Sequence, residues 1–242
     1  MAPSRDVLLL GSETPVIHRL RTRLAQLGYR GVPAKTPEQA QLVLQMARGS
    51  IRAAVVPPEL PVVDLGRTLR FLAAVSSAPL FFLAAGPAPP RDERTRLRQA
   101  GVTYALFEPL HDHELRFQLN RAFARSGVVR GSRRALRAPT RWTVPITTPA
   151  GRREAGLYTL SAGGAFLATP TPTLRGASVR LAIPLGDGDV QLTGRVVATN
   201  VPGNLAQKLL PCGMAVAFER TAVDASARLH LFAERRLHQL AV

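Results

Sequence analysis

The hydrophobic pattern changes at the midpoint of the chain, and that change limits it to two domains built in different ways. Up to Ala124, short apolar runs alternate with segments of helical period. Val7–Leu10, Ala53–Val56 and Leu80–Ala84 are continuous apolar runs, as strands buried on both faces require. Between them Val16, Leu20, Leu24 and Leu27 fall on one helical face, which Gly28 ends. Thr36-Pro37-Glu38-Gln39 is a helix start, with a capping threonine, proline at the first helical position and glutamine three residues after the cap. Gly31–Ala34 and Tyr104–Phe107 complete five strands, and Arg91–Ala100 and Asp112–Ala124 are further helices. This order predicts an α/β doubly wound parallel sheet.

Beyond Arg141 the segments are short and separated by Pro, Gly and Thr: Thr143–Thr147, Glu154–Leu160, Ala165–Ala168, Ser178–Ile183, Val190–Ala198 and Cys212–Phe218. Gly186-Asp187-Gly188 reads as a turn. Six closely spaced strands predict a small antiparallel β-barrel. An amphipathic helix ends the chain, with Thr221 and Asp224 as its expected capping pair and Leu229, Phe232, Ala233, Leu237 and Leu240 as its apolar stripe. Between the halves, Arg125, Arg130, Arg133, Arg134, Arg137 and Arg141 occur without an acid, among Gly127, Gly131 and Ser132. The expected division is therefore 1–125 for the first domain, 126–132 for a linker and 133–242 for the second.

Composition narrows the function. Across 242 residues the chain carries 32 basic side chains against 16 acidic ones, a net charge of +16. All the basic residues except Lys35 and Lys208 are arginine, a planar fork suited to phosphates and to stacking on bases. This favours an anionic partner. Aromatic residues make up 5%, too few for a reader of single strands built on stacking. No run is long enough to span a membrane and no secretory leader is apparent, so a cytoplasmic protein is expected. Cys212 is the single cysteine, which leaves no intrachain disulfide and no cysteine-based metal site.

The first half resembles the receiver domain of bacterial response regulators. Val55-Val56-Pro57-Pro58-Glu59-Leu60-Pro61 is similar to the third-strand segment, and Phe107-Glu108-Pro109 to the fifth-strand end, where the family has lysine before a cis proline. Receiver chemistry needs a carboxylate nucleophile, acids to hold Mg²⁺, a hydroxyl and a lysine. The corresponding positions carry Pro57, Gly11 and Ser12, Ala84 or Ala85, and Glu108. Glu13 is displaced by one, and Glu59 and Asp64 follow the strand instead of ending it. The resemblance implies a pseudo-receiver retained for its surfaces, with Glu13 and Glu108 as solvated rim acids.

The second half resembles the PilZ domain, whose motifs are RxxxR and (D/N)xSxxG. Arg133-Arg134-Ala135-Leu136-Arg137 carries the first, and Thr159-Leu160-Ser161-Ala162-Gly163-Gly164 the second. The resemblance implies a six-stranded barrel with a C-terminal helix that binds cyclic di-GMP on its outside. Arg133 and Arg137 would grip phosphates and stack on guanines, Ser161 would donate a hydrogen bond, and Gly164 would admit the ligand to the backbone. Arg137 and Arg141 also satisfy the arginine spacing. Thr159 departs from the family, because a hydroxyl cannot make the bidentate contact of an amide or carboxylate with guanine.

Other signals read as structural. His111-Asp112-His113-Glu114 opens a helix, where adjacent residues point apart. Asp187 and Asp189 lack the further acids of a calcium loop. Ser161 lacks the glycine spacing of a hydrolase nucleophile. Trp142 is expected to anchor the barrel and Cys212 to sit in its core. No metal, cofactor or catalytic constellation is expected. The leading expectation is a non-enzymatic bacterial signalling adaptor that works through protein contacts, with cyclic di-GMP as effector. The resemblance implies processes such as motility, surface polysaccharide or virulence. A ligand-independent scaffold and nucleic-acid binding through the arginines are the alternatives. If the linker reading holds, limited trypsin digestion should separate the two domains near Gly127–Ser132. Cleavage within either core that spares those arginines would refute the boundary.

Overall fold

Strands that are apolar on both faces have to lie in a sheet covered on both sides, and the first half of the chain builds such a sheet around its apolar runs. The computed structural model describes residues 6–11, 14–57, 62–124, 135–186, 188–201 and 209–242. Strands β1 (Asp6–Leu10), β2 (Arg30–Ala34), β3 (Ala53–Val56), β4 (Phe81–Gly86) and β5 (Val102–Phe107) form a parallel sheet in the order β2-β1-β3-β4-β5. That is the flavodoxin-like doubly wound order, which receivers share. Helices α1 (Pro15–Gln26), α2 (Pro37–Ala47), α3 (Val62–Val75), α4 (Arg91–Gln99) and α5 (Asp112–Ala124) supply the cover. Leu8, Leu10, Ala54 and Val56 pack with Leu44, Leu69, Leu72 and Leu97 in one core.

The helix signals act as capping chemistry predicts. Thr36 Oγ1 accepts from the Gln39 backbone N–H at 3.3 Å, and Gln39 Oε1 accepts from Lys35 N–H at 2.9 Å. The hydrogen bond with Thr36 holds the Glu38 carboxyl below its ordinary value. At α5 the cap position belongs to His111, ahead of Asp112. Its Nδ1 accepts from His113 N–H at 3.2 Å, and its carbonyl accepts from Leu115 N–H at 3.0 Å. Asp112 is a first-turn acid.

The second half is a closed barrel. Strands β6 (Arg137–Pro139), β7 (Thr143–Thr148), β8 (Gly151–Ser161), β9 (Gly164–Ala168), β10 (Ser178–Pro184), β11 (Asp189–Asn200) and β12 (Gly213–Phe218) pair in the order β6-β8-β7-β10-β11-β12-β9. An additional β8–β9 pairing closes six strands into a ring. Short β6 continues the side of β8 that β7 begins, because β7 pairs with Gly151–Gly156 and β6 with Thr159–Ser161. β6 is a strand where the sequence reading expected only the approach to one. It is short, and its proline cannot donate to a ladder. Inside the barrel Val144, Ile146, Leu157, Leu160, Leu167, Val179, Leu181 and Val216 form one core.

Helix α6 (Val223–Gln239) seals this core with Ala225 and Leu229. Its start corrects the expected cap. The helix begins at Val223, so Ala222 holds the cap position, and its carbonyl accepts from Ser226 N–H at 2.9 Å. Leu240 lies past the helix end, so the last member of the expected stripe is not helical. Chain packing divides the molecule into Met1–Arg130 with Leu240–Val242, and Gly131–Gln239.

Close approaches of backbone to backbone, those at Gly164 and Gly194 among them, make the barrel possible. A Cβ on Gly164 would stand 2.4 Å from the carbonyl oxygen of Val216, and one on Gly194 would stand 2.5 Å from that of Ala217. Both obstacles are backbone, which cannot swing aside. Gly164→Ala should therefore cost about 1–3 kcal/mol of barrel stability. Thermal unfolding followed by circular dichroism should show the barrel transition lowered by several degrees. An unchanged melting profile would mean that β9 can shift away from β12.

Candidate functional site

Strand pairing brings the second sequence motif onto one arginine of the first. β6 runs antiparallel to the end of β8, with Arg137 opposite Ser161, Ala138 opposite Leu160 and Pro139 opposite Thr159. Side chains directly opposite in such a pair share a face, with Cβ atoms about 4.5–5.5 Å apart. Leu160 points into the barrel core, so Arg137, Thr159 and Ser161 lie on the outer face. Arg137 is half-buried, and Thr159 and Ser161 are each 3% exposed. Gly164 follows the Ala162–Gly163 turn and pairs back with Ser161. Arg133 and Arg134 lie outside the described residues, as does the linker expected at 126–132.

The chemistry of each position follows from these contacts. Ser161 Oγ donates to the Gly164 carbonyl at 3.0 Å, which ties the turn between β8 and β9. Its lone pairs are what it can offer another donor. Gly164 is fully accounted for by the Val216 carbonyl it faces, independently of any ligand. Thr159 lies between Pro139 of β6 and Phe166 of β9. Arg141, the second arginine in the alternative register, is exposed beside Trp142 and Arg236 around a cavity of about 270 Å³. Burial pushes the Arg236 guanidinium below its ordinary value.

At the top of the parallel sheet, the positions where a receiver would do chemistry hold groups that cannot do it. Pro57 is buried just past β3, and Ala84 and Ala85 are buried in β4. Gly11 follows β1 with φ of +93°, while Ser12, Glu13, Glu59 and Asp64 have no described side chains. The Glu108–Pro109 bond is cis. Glu108 does not stand alone on the rim, because Arg19 of α1 meets it at 2.8 Å. On the next turn Arg23 donates to the Leu110 carbonyl and stands 3.7 Å from Asp112. The sequence reading missed this arginine pair. Arg19 and Arg23 are spaced i, i+4 on α1, and that spacing was the available signal. Among the described residues no three His, Cys, Asp or Glu side chains gather as metal ligands. No described helix is long and apolar enough to cross a membrane.

Residues 131–235 match the family model of the PilZ domain. Among solved structures, the receiver domain of the Pseudomonas aeruginosa sensor histidine kinase PA1611 is 23% identical, covering 50% of this chain and 98% of that one with a TM-score of 0.42. The Vibrio cholerae chemotaxis protein CheY4 is 15% identical over 49% of this chain and 98% of that one, with a TM-score of 0.39. The Bacillus subtilis inhibitor of motility MotI is 20% identical over 45% of this chain and 53% of that one, with a TM-score of 0.35. No curated protein matches the chain.

A proline cannot accept a phosphoryl group, and Glu108 is engaged by Arg19. Acetyl phosphate with Mg²⁺ should therefore leave the protein unmodified. An intact-mass gain of one phosphoryl group in the first domain would show a nucleophile outside these positions.

Proposed function

We propose that this chain, a PilZ domain joined to a receiver-like domain, is a non-enzymatic adaptor of bacterial cyclic di-GMP signalling. The PilZ domain is the candidate sensor, and the pseudo-receiver contributes surfaces for protein partners instead of phosphoryl chemistry. One observation carries the reading: Arg137 stands directly across the β6–β8 ladder from Ser161, with Thr159 two residues away on the same face. An always-charged planar guanidinium beside two hydroxyls suits a phosphate and a stacked purine. The receiver positions argue in the same direction, since their fold is kept while Pro57, Ala84 and Glu108 supply none of the groups that phosphorylation needs. Regulation of motility belongs to this proposal as the kind of process such an adaptor would serve. So does cytoplasmic placement, where the nucleotide is made.

Affinity in this reading is set by Thr159. Its hydroxyl is shorter than an amide and cannot present the amide's two polar atoms, one donor and one acceptor, to the guanine edge. Losing one good polar contact costs roughly 1–3 kcal/mol, a tenfold to hundredfold loss of affinity. Isothermal titration of the intact protein with cyclic di-GMP should show weak binding. Thr159→Asn should tighten it by about tenfold or more without adding charge. Arg137→Ala should abolish it. Nanomolar wild-type affinity unchanged by Thr159→Asn would remove Thr159 from the site. A folded protein that binds nothing in any variant would replace the sensor with a ligand-independent scaffold.

A further inference from the structure

The face of α6 beside the β10–β11 turn carries a groove unlike the rest of the barrel surface. Arg228, Leu231, Phe232, Arg235, Arg236 and Gln239 recur at helical spacing along this face. With Leu185 and Gly186 they line a cavity of about 330 Å³. Phe232 and Arg236 also border the neighbouring cavity at Trp142, where the Phe232 and Trp142 rings lie 4.8 Å apart. Among the described residues no acid lines either cavity. Glu234, the helix's one acid beyond its first turn, faces His230 at 3.4 Å on another face.

The groove is also held in shape. Arg228 donates to the carbonyls of Leu185 at 2.6 Å and Gly188 at 3.1 Å, which fastens α6 to the β10–β11 turn. Its walls therefore exist before any partner arrives, so the ordering cost of binding is small. Leu231 is 44% exposed although α6 has already sealed the core with other residues. Arg236 is half-buried, and burial holds it below its ordinary value. Arg236 also donates to Gln239 Oε1 at 2.9 Å, which holds its guanidinium along this face.

We infer that this groove is a docking surface for an acidic, amphipathic segment of a partner protein, whose apolar side chains cover Leu231 and Phe232 while its carboxylates meet Arg235 and Arg236. Charge complementarity selects the occupant: among the described residues the charged groups lining the apolar strip are all arginines, which suits apolar anchors flanked by acids. Length points to a segment over a single nucleotide. Arg228 and Arg235 stand seven residues apart, about 10 Å along the helix, and the strip continues to Gln239. A helix laid in such a groove engages it through i, i+3, i+4 and i+7 anchors. The occupant is not a second copy of this chain, whose 16 acids are scattered among 32 basic residues and form no acidic amphipathic run. The inference deepens the adaptor reading by giving its partner surface a place and a chemistry. It does not rest on cyclic di-GMP binding.

Fluorescence anisotropy on the intact protein tests it. The probe is a labelled peptide about four helical turns long, with leucines on one face and glutamates flanking them. At physiological ionic strength the wild type should bind this peptide. Leu231→Ser and Arg235→Glu, both at exposed positions, should each weaken binding by at least about tenfold. A control peptide with serine for leucine should lose binding to a similar degree. Binding unaffected by both variants, or equal binding of the serine peptide, overturns the proposal. So does wild-type protein that ignores the peptide. Retention of a DNA duplex that is weakened by the same two variants would reassign the face to nucleic acid. Titration with cyclic di-GMP is scored separately, so peptide binding without nucleotide binding upholds the groove and defeats only the sensor reading.

Discussion

Closing the barrel depends on close approaches of backbone to backbone, and one of them falls within the second motif. β9 has to reach β12 on one side and β8 on the other for the ring to close, and at Gly164 it passes where any Cβ would strike the Val216 carbonyl. Ser161 fixes the preceding turn by donating to Gly164. The same few residues therefore close the barrel and carry the second motif. This dual use has a consequence for reading the motif. A serine and a glycine in this spacing are required by the turn whether or not a ligand follows. What ligand chemistry adds has to come from Arg137 and from position 159, which closure does not explain.

Much of this was legible from the residues alone. Strands β1, β3 and β4 showed themselves as apolar runs because burial on both faces leaves no room for alternation. The Thr36–Gln39 cap is a local device whose donors and acceptors lie within four residues, so the sequence contains all of it. The barrel strands from β7 to β12 were visible through their turns. β6 was not, because a three-residue strand with a proline shows no period, and only its partner β8 makes it a strand. The α6 cap went astray for a similar reason. Thr221 and Asp224 have the right chemistry, but the helix starts one residue later than that pairing needs. The contact of Arg19 with Glu108 spans 89 residues of sequence. No local pattern encodes it, beyond the presence of arginines along α1.

At the end of the receiver-like sheet, several positions hold structural groups. Where a carboxylate would sit, Pro57 is buried, and where a lysine would sit, Glu108 takes the opposite charge. That reversal does not leave a bare acid, because Arg19 supplies the cation from α1. The pair is surface-exposed on both sides, so its net stabilisation is small, up to about 1 kcal/mol. Its effect is on charge: the end of the sheet presents a neutral pair where an active receiver would gather anions around a metal.

The arginine excess first suggested an anionic ligand, and the contacts divide it into different jobs. Arg228 clasps the carbonyls of Leu185 and Gly188, Arg195 bridges Glu219 and the Gly176 carbonyl, and Arg153 spans Thr171 and Thr173. Each uses the fork to bind two acceptors at once, which a lysine's single ammonium does poorly. These arginines hold loops to strands and helices, and at Arg228 and Arg153, whose partners are neutral, the charge is incidental to that work. Net charge alone therefore overstated the surface available to ligands. In the reading proposed above, what bears on an anion is narrower: the kind of surface that the remaining arginines border. Arg137 beside Ser161 is one such place, and Arg235 and Arg236 beside exposed Leu231 are another. In both, the guanidinium stands next to a surface of different character, hydroxyls in one case and apolar carbon in the other. That neighbouring surface, more than the charge, decides which anion each place can recognise.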